Sequence, residues 1–242
     1  NETQTPTVGT VNEASLTATE FDHSLLLNSF VNLSESFTLS ALGGLNVNER
    51  YTRNLTTQVV GLDIPGFYHI SNSSGAPIIG NQSTLRRLIG VYAQAELAYK
   101  DFWFVTATVR NDWSSTLPEE SRSFIYPAFN TSFVFTEALG IENSFLNFGK
   151  LRASWGQTGN DALPYLVQST LVPGDIYNYF GTLKFPFNGV NAFEVGNRIG
   201  NTNLKPEIST EFEFGGDFKL LSNKVGVSVS FYDKRTDGQI FA

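Results

Sequence analysis

Residues 148–161 read Phe-Gly-Lys-Leu-Arg-Ala-Ser-Trp-Gly-Gln-Thr-Gly-Asn-Asp, and this stretch carries the most information about the fold. It begins with an alternation of two faces, on which Lys150, Arg152 and Ser154 oppose Leu151, Ala153 and Trp155. A period of two indicates a β-strand. A strand with one charged and one apolar face belongs either to a half-exposed sheet or to a membrane barrel with a wet lumen.

The composition favours the membrane barrel. The chain has 242 residues, of which 21 are Phe, 9 are Tyr and none is Cys, and only 16% are charged. A soluble domain usually carries ~25% charged residues, whereas the outside of a barrel is apolar and girdled by aromatic side chains. The net charge of -7 argues against a nucleic-acid partner, whose binders carry a basic footprint. The absence of Cys does not choose a compartment.

Eight strands are predicted from the alternation, and helical periodicity is almost absent. The only helix-like stretch, Thr136 to Ile141, is too short to be stable by itself. No apolar run reaches the ~18 residues of a membrane-spanning helix. Several strands are long enough to cross a membrane as tilted strands of ~9–11 residues. The eight strands lie near 14–33, 36–54, 84–99, 102–114, 122–136, 145–157, 207–221 and 224–240.

The connections between these strands alternate in length. The short ones lie at Ser34-Glu35, Lys100-Asp101, Leu139 to Ser144 and Ser222-Asn223, and the long ones at 55–83, 115–121 and 158–206. Outer-membrane barrels have short periplasmic turns at one end and longer extracellular loops at the other. We therefore expect 55–83 and 158–206 to be extracellular-type loops. Both chain ends resemble cuts, so we expect a fragment of a larger protein.

The two strand faces can be assigned along most of the chain. Near 207–221, for example, Phe212, Phe214, Phe218 and Leu220 oppose Glu211, Glu213 and Asp217. In a barrel the apolar faces meet lipid and the polar faces line the interior. In a soluble β-sandwich the apolar faces form the core and the charges meet water. Alternation alone leaves both possibilities open, but the aromatic strand ends at 102–104 and 231–232 favour a membrane interface.

Six segments, in order along roughly residues 30–240, resemble the signatures of SusC/RagA-type TonB-dependent transporters. They are Leu88 to Gln94, Tyr99 to Asp101, Val105 to Asp112, Leu151 to Asn160, Asn203 to Glu207 and Tyr232 to Thr236. In addition, Gly66-Phe67-Tyr68 with Ser71-Asn72 is similar to a loop of that family. Trp113, after Asp112, and Ala128, after Pro127, depart from the residues common in the family.

The resemblance implies a fold and a function. Members are outer-membrane importers of glycans or peptides in Bacteroidetes, powered by TonB and capped by a SusD-like surface lipoprotein. Their 22-stranded barrel is closed by an N-terminal plug. On this basis residues 1–242 are expected to be an all-β, antiparallel, up-and-down part of a large transmembrane β-barrel domain. About eight of its strands are present, and the plug and the TonB box are absent. TonB-ExbB-ExbD is expected to act through the missing N-terminal part.

No catalytic constellation is evident, so we expect no enzyme, no cofactor and no metal. His23 and His69 lack the converging partners that a zinc site requires. Glu211 and Glu213 lie two residues apart on one strand face, where solvated lumen charges are a better interpretation than paired glycosidase carboxylates. The candidates for lining the lumen are Arg110, Asp112, Arg152, Glu211 and Glu213.

The candidates for ligand contact lie on the two long loops. Aromatic rings there would stack on apolar sugar faces, and the amides would bind hydroxyl groups. The alternative is that these rings pack within their own loop or against the lipoprotein cap. The candidate residues are Tyr177, Tyr179, Phe180, Phe185, Phe187 and Asn188 in 173–193, and Phe67, Tyr68 and Asn72 in 64–78.

Two functions therefore remain open. The first is part of an outer-membrane TonB-dependent importer of oligosaccharides or peptides, which works with a SusD-like lipoprotein. The second is a soluble β-sandwich that binds carbohydrate through the aromatic residues of 173–193. Solubility distinguishes them, because a lipid-facing apolar exterior aggregates without detergent.

Overall fold

The structure, a computed structural model, describes residues 9–141, 143, 145–178 and 181–241. The chain divides into two compact units. Unit 1 comprises Asn1–Asp22 and Asn48–Arg87, and unit 2 comprises His23–Val47 and Leu88–Ala242. The described residues contain no helix with the length and apolar character needed to cross a membrane.

The eight predicted strands are confirmed, and they form a single antiparallel sheet. Their bounds are β1 Thr10–Asn32, β2 Phe37–Val60, β3 Ile78–Tyr99, β4 Trp103–Ser114, β5 Ser123–Val134, β6 Leu146–Asn160, β11 Glu207–Leu220 and β12 Val225–Asp237. Within the sheet they are neighbours in this same order. The described part of the segment between β6 and β11 contains four short strands: β7 Leu171–Pro173, β8 Asp175–Asn178, β9 Gly181–Lys184 and β10 Phe193–Val195. The all-β, antiparallel prediction is therefore correct.

The structure shortens both long loops that the sequence predicts. β2 continues to Val60 and β3 begins at Ile78, so the loop is 61–77 rather than 55–83. The extension follows from β-branched residues at the end of β2, since Thr56, Thr57 and Val59 favour a pleated backbone, and Val59 is fully buried. The 158–206 segment is not one irregular loop either. β7 pairs with β10 and β8 pairs with β9.

The short turns of unit 2 follow from local backbone chemistry. Between β3 and β4, Lys100 and Asp101 both have positive φ, at 46° and 56°, and Phe102 N–H donates to Tyr99 O at 3.2 Å. Two left-handed central residues match the right-handed twist of the flanking strands. The predicted helix-like stretch appears as α1, Phe135–Ala138, which covers one turn between β5 and β6.

The register of unit 2 places the apolar side chains of five adjacent strands on one face. Leu97, Val105, Thr131, Ala153 and Phe214 are consecutive opposite partners across β3, β4, β5, β6 and β11. On the same face, the Trp155 ring lies 5.9 Å from Phe129 and 6.3 Å from Phe212. Phe214 is 58% exposed and Phe231 is 73% exposed. All eight long strands belong to one sheet in chain order, whereas a sandwich divides its strands between two sheets packed face to face, so the described strands do not form the alternative sandwich.

Among its described residues, unit 2 contains one small cluster of buried apolar side chains, which lies outside the apolar face of the long strands. It consists of Leu117, Phe124, Ala162, Leu166 and Leu204, with Tyr126, Val167 and Ile240 packed against it. These residues come from the β4–β5 connection, the start of β5 and both ends of the 161–206 segment. The core therefore fastens the longest connection of unit 2 to the strands beneath it.

Candidate functional site

The face opposite the apolar one is a polar wall, built by the same register. Glu96, Thr106, Asn130, Ser154 and Glu213 are consecutive opposite partners across five strands, from β3 to β11. The Thr106 hydroxyl donates to Glu96 Oε2 at 3.1 Å. Together with Lys150 and Arg152, this row lines an open cleft of about 300 Å³. All five predicted lumen residues lie on this face: Arg152, Glu211 and Glu213 on β6 and β11, and Arg110 and Asp112 on β4.

Opposite charges face one another across neighbouring strands of the wall. Lys150 Nζ lies 3.8 Å from Asp217, Arg152 lies 3.6 Å from Glu213, and Lys234 Nζ lies 3.9 Å from Glu211. These pairs are half-exposed and long, and such pairs contribute at most about 1 kcal/mol each. The wall therefore presents charges of both signs that can exchange partners at little cost.

Arg152 lies flat across β11 because the residue beside it is a glycine. Its guanidinium passes over Gly215 and donates to the Ser230 hydroxyl on β12. Its Nε is buried and has no hydrogen-bond partner in the described part of the chain. A Cβ at Gly215 would lie 2.7 Å from that Nε and 2.8 Å from the Val229 carbonyl oxygen. Gly215 thus makes room for Arg152.

Replacing Gly215 with alanine is expected to destabilise the barrel by about 1–3 kcal/mol, as overpacking usually does. The added methyl group must displace Arg152 or the β12 backbone, and the backbone is held in the sheet. Gly226→Ala is the matched control, since a Cβ at Gly226 would meet no other atom within 4 Å. Denaturant unfolding of the full-length protein measures both. Equal midpoints for the two variants would contradict the close approach.

Arg110 and Asp112, the two predicted lumen residues on β4, form a cluster that also includes Tyr92 and Tyr126. Asp112 is 3% exposed. It accepts from Arg110 Nε at 2.8 Å and from the Tyr126 hydroxyl, while the Arg110 guanidinium lies 5.2 Å from the centre of the Tyr92 ring. Tyr126 was not predicted, although it is the direct β5 partner of Arg110. Knowledge of the β4–β5 strand register would have placed Tyr126 beside Arg110.

A second polar cluster lies beside the buried core. Ser114 and Thr116 are buried, and both donate to Asp161 Oδ2, Thr116 at 3.1 Å. The Ser121 hydroxyl donates to the Leu204 carbonyl oxygen at 2.5 Å. These bonds join the β4–β5 connection to both ends of the 161–206 segment. They hold the base of this segment in place and do not form a nucleophile–base pair.

Glu207 ties the segment after β12 to the start of β11. Its carboxylate accepts from Ile240 N–H at 2.7 Å and from Asn160 Nδ2 at 3.1 Å. The Ile240 bond, and secondarily the Asn160 bond, hold the pKa of the Glu207 carboxyl below its ordinary value of 4.5. Glu207 precedes Phe212, the first exposed apolar side chain of β11, and so lies outside the lipid-facing part of that strand.

The Glu207 contact is expected to weaken in acid. A carboxyl with a lowered folded-state pKa stabilises the folded state fully above pH 4.5, and this contribution is lost as the pH falls through the lower folded pKa. The protection factor of the Ile240 amide, which compares its exchange rate with the intrinsic rate at the same pH, should therefore fall below pH 4.5. In Glu207→Gln this fall should vanish. Its persistence in that variant would assign it to another group.

The first set of predicted ligand contacts is only partly described. Tyr179 and Phe180 lie outside the described residues, and Tyr177 lies in β8, where its backbone alone is described. Phe185 is half-buried, and Phe187 is exposed. Asn188 and Gly189 have φ of 48° and 79° and form a tight turn closed by two bonds of 2.9 Å between Phe187 and Val190. This turn presents Phe187 beside Asn188.

The second set lies on the 61–77 loop of unit 1, and the structure separates its members. Phe67 and Tyr68 are exposed, whereas Asn72 is only 5% exposed. The Asn72 side chain is bound to the loop backbone at Ile64 and Phe67. Phe67 and Tyr68 are therefore available to a ligand, and the Asn72 amide is already used. Among the described residues no group of three or more His, Cys, Asp or Glu side chains is arranged to hold a metal ion.

The family model and the curated relatives that match this chain are all described as TonB-dependent receptors. The family model described as "TonB dependent receptor-like, beta-barrel" matches residues 3–242. TonB-dependent receptor P26 of Formosa agariphila is 25% identical over 214 residues, or 85% of this chain and 20% of that protein. TonB-dependent receptor P39 of the same organism is 30% identical over 164 residues, or 67% of this chain and 15% of that protein.

Solved structures resemble the chain in fold. "Structure of the RagAB peptide transporter" matches with a TM-score of 0.79 and 17% identity, over 93% of this chain and 24% of that chain. "Structure of the RagAB peptide importer in the 'open-open' state" matches with a TM-score of 0.78 and 18% identity, over 98% and 25%. The chain thus spans 15–20% of these two curated relatives and about a quarter of the solved chains.

Proposed function

Because the chain belongs to the TonB-dependent receptor β-barrel family, we propose that it forms part of an outer-membrane importer of oligosaccharides or peptides. In this proposal the importer works with a SusD-like surface lipoprotein and draws energy from TonB-ExbB-ExbD through parts of the protein outside this chain. The function is transport, with no catalytic step assigned to these residues.

One observation carries the proposal: the sheet of unit 2 has an uncovered apolar face and a charged face. Exposed Phe212, Phe214 and Phe231 would be costly in water, whereas lipid is their natural environment and a polar lumen is that of the opposite wall. A soluble module would bury the first face instead. We therefore interpret the alternation of Ala153 and Ser154 as that of a membrane-spanning strand, with Ala153 facing lipid and Ser154 facing the lumen.

The polar wall suits the passage of a cargo better than its tight retention. Its ion pairs are weak and half-exposed, and its central row is made of small neutral groups between two carboxylates. A transport pathway needs binding that is weak and distributed over many sites, so that cargo both enters and leaves. Arg110, Asp112, Arg152, Glu211 and Glu213 are proposed to line this path.

Cargo capture is proposed to occur at the long loops. Exposed Phe67, Tyr68 and Phe187 provide rigid ring faces, and these stack equally well on sugar rings and on ring side chains of peptides. Phe185 and Asn188, together with Tyr177, Tyr179 and Phe180, belong to the same proposed contact set. The ring chemistry is compatible with both cargo classes.

The lipoprotein partner is proposed to cover the β7–β10 ladder. Leu171 and Val195 are directly paired there, Phe193 lies on the same face, and all three are exposed. An apolar ladder on a loop outside the lipid-facing strands requires a cover, since exposed contiguous apolar area marks interaction sites.

Detergent extraction of the full-length native protein, followed by mass spectrometry of co-purifying molecules, tests this function. We expect the protein in the outer-membrane fraction, together with a SusD-like lipoprotein and a bound oligosaccharide or peptide. A protein that is water-soluble without detergent, or that is membrane-bound without any lipoprotein or cargo, would contradict the proposal.

A further inference from the structure

The 61–77 loop of unit 1 is organised around the buried side-chain amide of Asn72. Its Oδ1 accepts from Ile64 N–H at 3.0 Å, and its Nδ2 donates to the carbonyl oxygens of Ile64 at 2.9 Å and Phe67 at 2.7 Å. The Asn72 N–H also donates to His69 O at 3.0 Å. Four bonds therefore fix the backbone on both sides of Phe67, and Gly66, with φ of 81°, allows the reversal before it.

The rings carried by this loop are held in a defined arrangement. Phe67 and His69 are nearly parallel, with ring centroids 5.8 Å apart and 13° between their planes. Ser71 N–H donates to His69 Nδ1 at 3.1 Å, and the Ser71 hydroxyl lies 2.7 Å from the same atom. Because Nδ1 is the acceptor, the neutral imidazole carries its proton on Nε2. His69 thus offers a donor beside a ring face.

The rings nevertheless remain open to solvent. Phe67 is 51% exposed and Tyr68 is 73% exposed, with His69 exposed between Tyr68 and Ile70 in the chain. Although Phe67 and His69 stack on each other, both side chains and Tyr68 stay exposed, so the loop does not bury these rings in its own packing. Rings ordered before binding also lower the entropic cost of stacking a ligand on them.

We propose that Phe67, Tyr68 and His69 form a preorganised ring-stacking subsite, for which Asn72 is the positioning residue. The subsite takes a flat, C–H-rich ring that carries a hydrogen-bond acceptor, with the ring on Phe67 and the acceptor on His69 Nε2. A pyranose and a proline residue both have this chemistry. The inference rests on the proposed import function, and it adds His69 to the contact set and removes Asn72 from it.

Saturation-transfer NMR on the full-length protein in detergent tests the subsite, with methyl β-D-glucopyranoside and N-acetylproline amide as two separate probes. We expect at least one probe to receive saturation from the wild-type protein. Phe67→Ala should weaken its binding about two- to tenfold, which is the usual worth of one ring stack. His69→Ala should also weaken binding while leaving the Asn72 bonds intact. Phe145→Ala, which removes an exposed ring from unit 2, is the control and should have no effect.

The positioning role of Asn72 is tested separately, by combining its substitution with that of Phe67. If Asn72 acts through Phe67, Asn72→Ala should weaken probe binding in the wild type and add nothing in the Phe67→Ala background. A further loss in the double variant would overturn the positioning role. Equal binding of both probes to wild type and to Phe67→Ala and His69→Ala, or no wild-type signal from either probe, would overturn the subsite.

The two probes also identify the source of the ring. Saturation of the glucoside alone assigns the subsite to sugars, and saturation of the proline amide alone assigns it to peptides. Failure of the subsite is distinguishable from failure of the proposed function. A protein that co-purifies with its lipoprotein and cargo but binds neither probe retains the function and loses only this subsite.

Discussion

Ala153→Arg is expected to cost about 2–4 kcal/mol of folding free energy in the membrane, the penalty for an arginine near the bilayer midplane on the lipid face of a barrel. Ala153 is the central residue of β6, which has 15 residues. It is exposed on the apolar face of that strand, between Phe214 on β11 and Thr131 on β5. No carboxylate lies opposite it on either neighbouring strand. The guanidinium would therefore have to be buried in hydrocarbon or bend the local bilayer.

Ser154→Arg is the matched control, since the next residue of the same strand belongs to the polar wall. Its direct partners are Asn130 and Glu213, so a positive charge there meets water and a carboxylate. We expect a change within about 1 kcal/mol. Denaturant unfolding of the full-length protein in lipid vesicles measures both variants. Similar losses in the two would contradict the assignment of the faces, and a larger loss in Ser154→Arg would reverse it.

Phe124→Ala is expected to show the second large effect, about 3–5 kcal/mol for a buried ring. Phe124 is 7% exposed and belongs to the core that also contains Leu117, Leu166 and Leu204. Its ring lies so close to Gly159 that a Cβ there would come within 2.5 Å of it. Losing the ring removes an apolar contact shared by the β4–β5 connection and the 161–206 segment, while the polar bonds through Asp161 and Ser121 remain.

The loss should appear first as release of the 161–206 segment. Limited proteolysis of the full-length protein is expected to cleave this segment faster in Phe124→Ala than in the wild type. Ile199→Ala, which removes an exposed apolar side chain from the same segment, should leave the cleavage rate unchanged. Unchanged cleavage in Phe124→Ala would show that the core does not fasten the segment.

The strands and their faces could be predicted because alternation is a local property. Arg152, Ala153 and Ser154 are assigned correctly from their order alone, and the Lys100-Asp101 turn from its position between two alternating runs. The end of β2 was not predicted, because residues 56–60 alternate only weakly between polar and apolar side chains and resemble a polar loop. The pairing of β7 with β10 was missed because strands of three residues have too little pattern to register.

Contacts between strands could not be predicted in the same way. Tyr126 meets Asp112, and Arg152 lies over Gly215, only because a particular register places them together, and the register is a property of the whole sheet. The buried amide of Asn72 depends on a loop conformation that includes a left-handed Gly66. From the sequence, an Asn in the same loop as two aromatic residues resembles a ligand contact, and only the burial of Asn72 shows that the loop backbone uses its side-chain amide.

The glycines of the polar wall also determine how far its large side chains project from the sheet. Tyr92 lies over Gly44, Arg110 over Gly90 and Arg152 over Gly215, each at a distance where a Cβ would collide with the side chain above. Three of the largest side chains on this face therefore lie flat instead of projecting. These three side chains protrude little from the wall, so the free space above them depends on the backbone more than on side-chain rotamers. In the proposed import path, a wall of this kind would let cargoes of different width pass without rearrangement of these side chains.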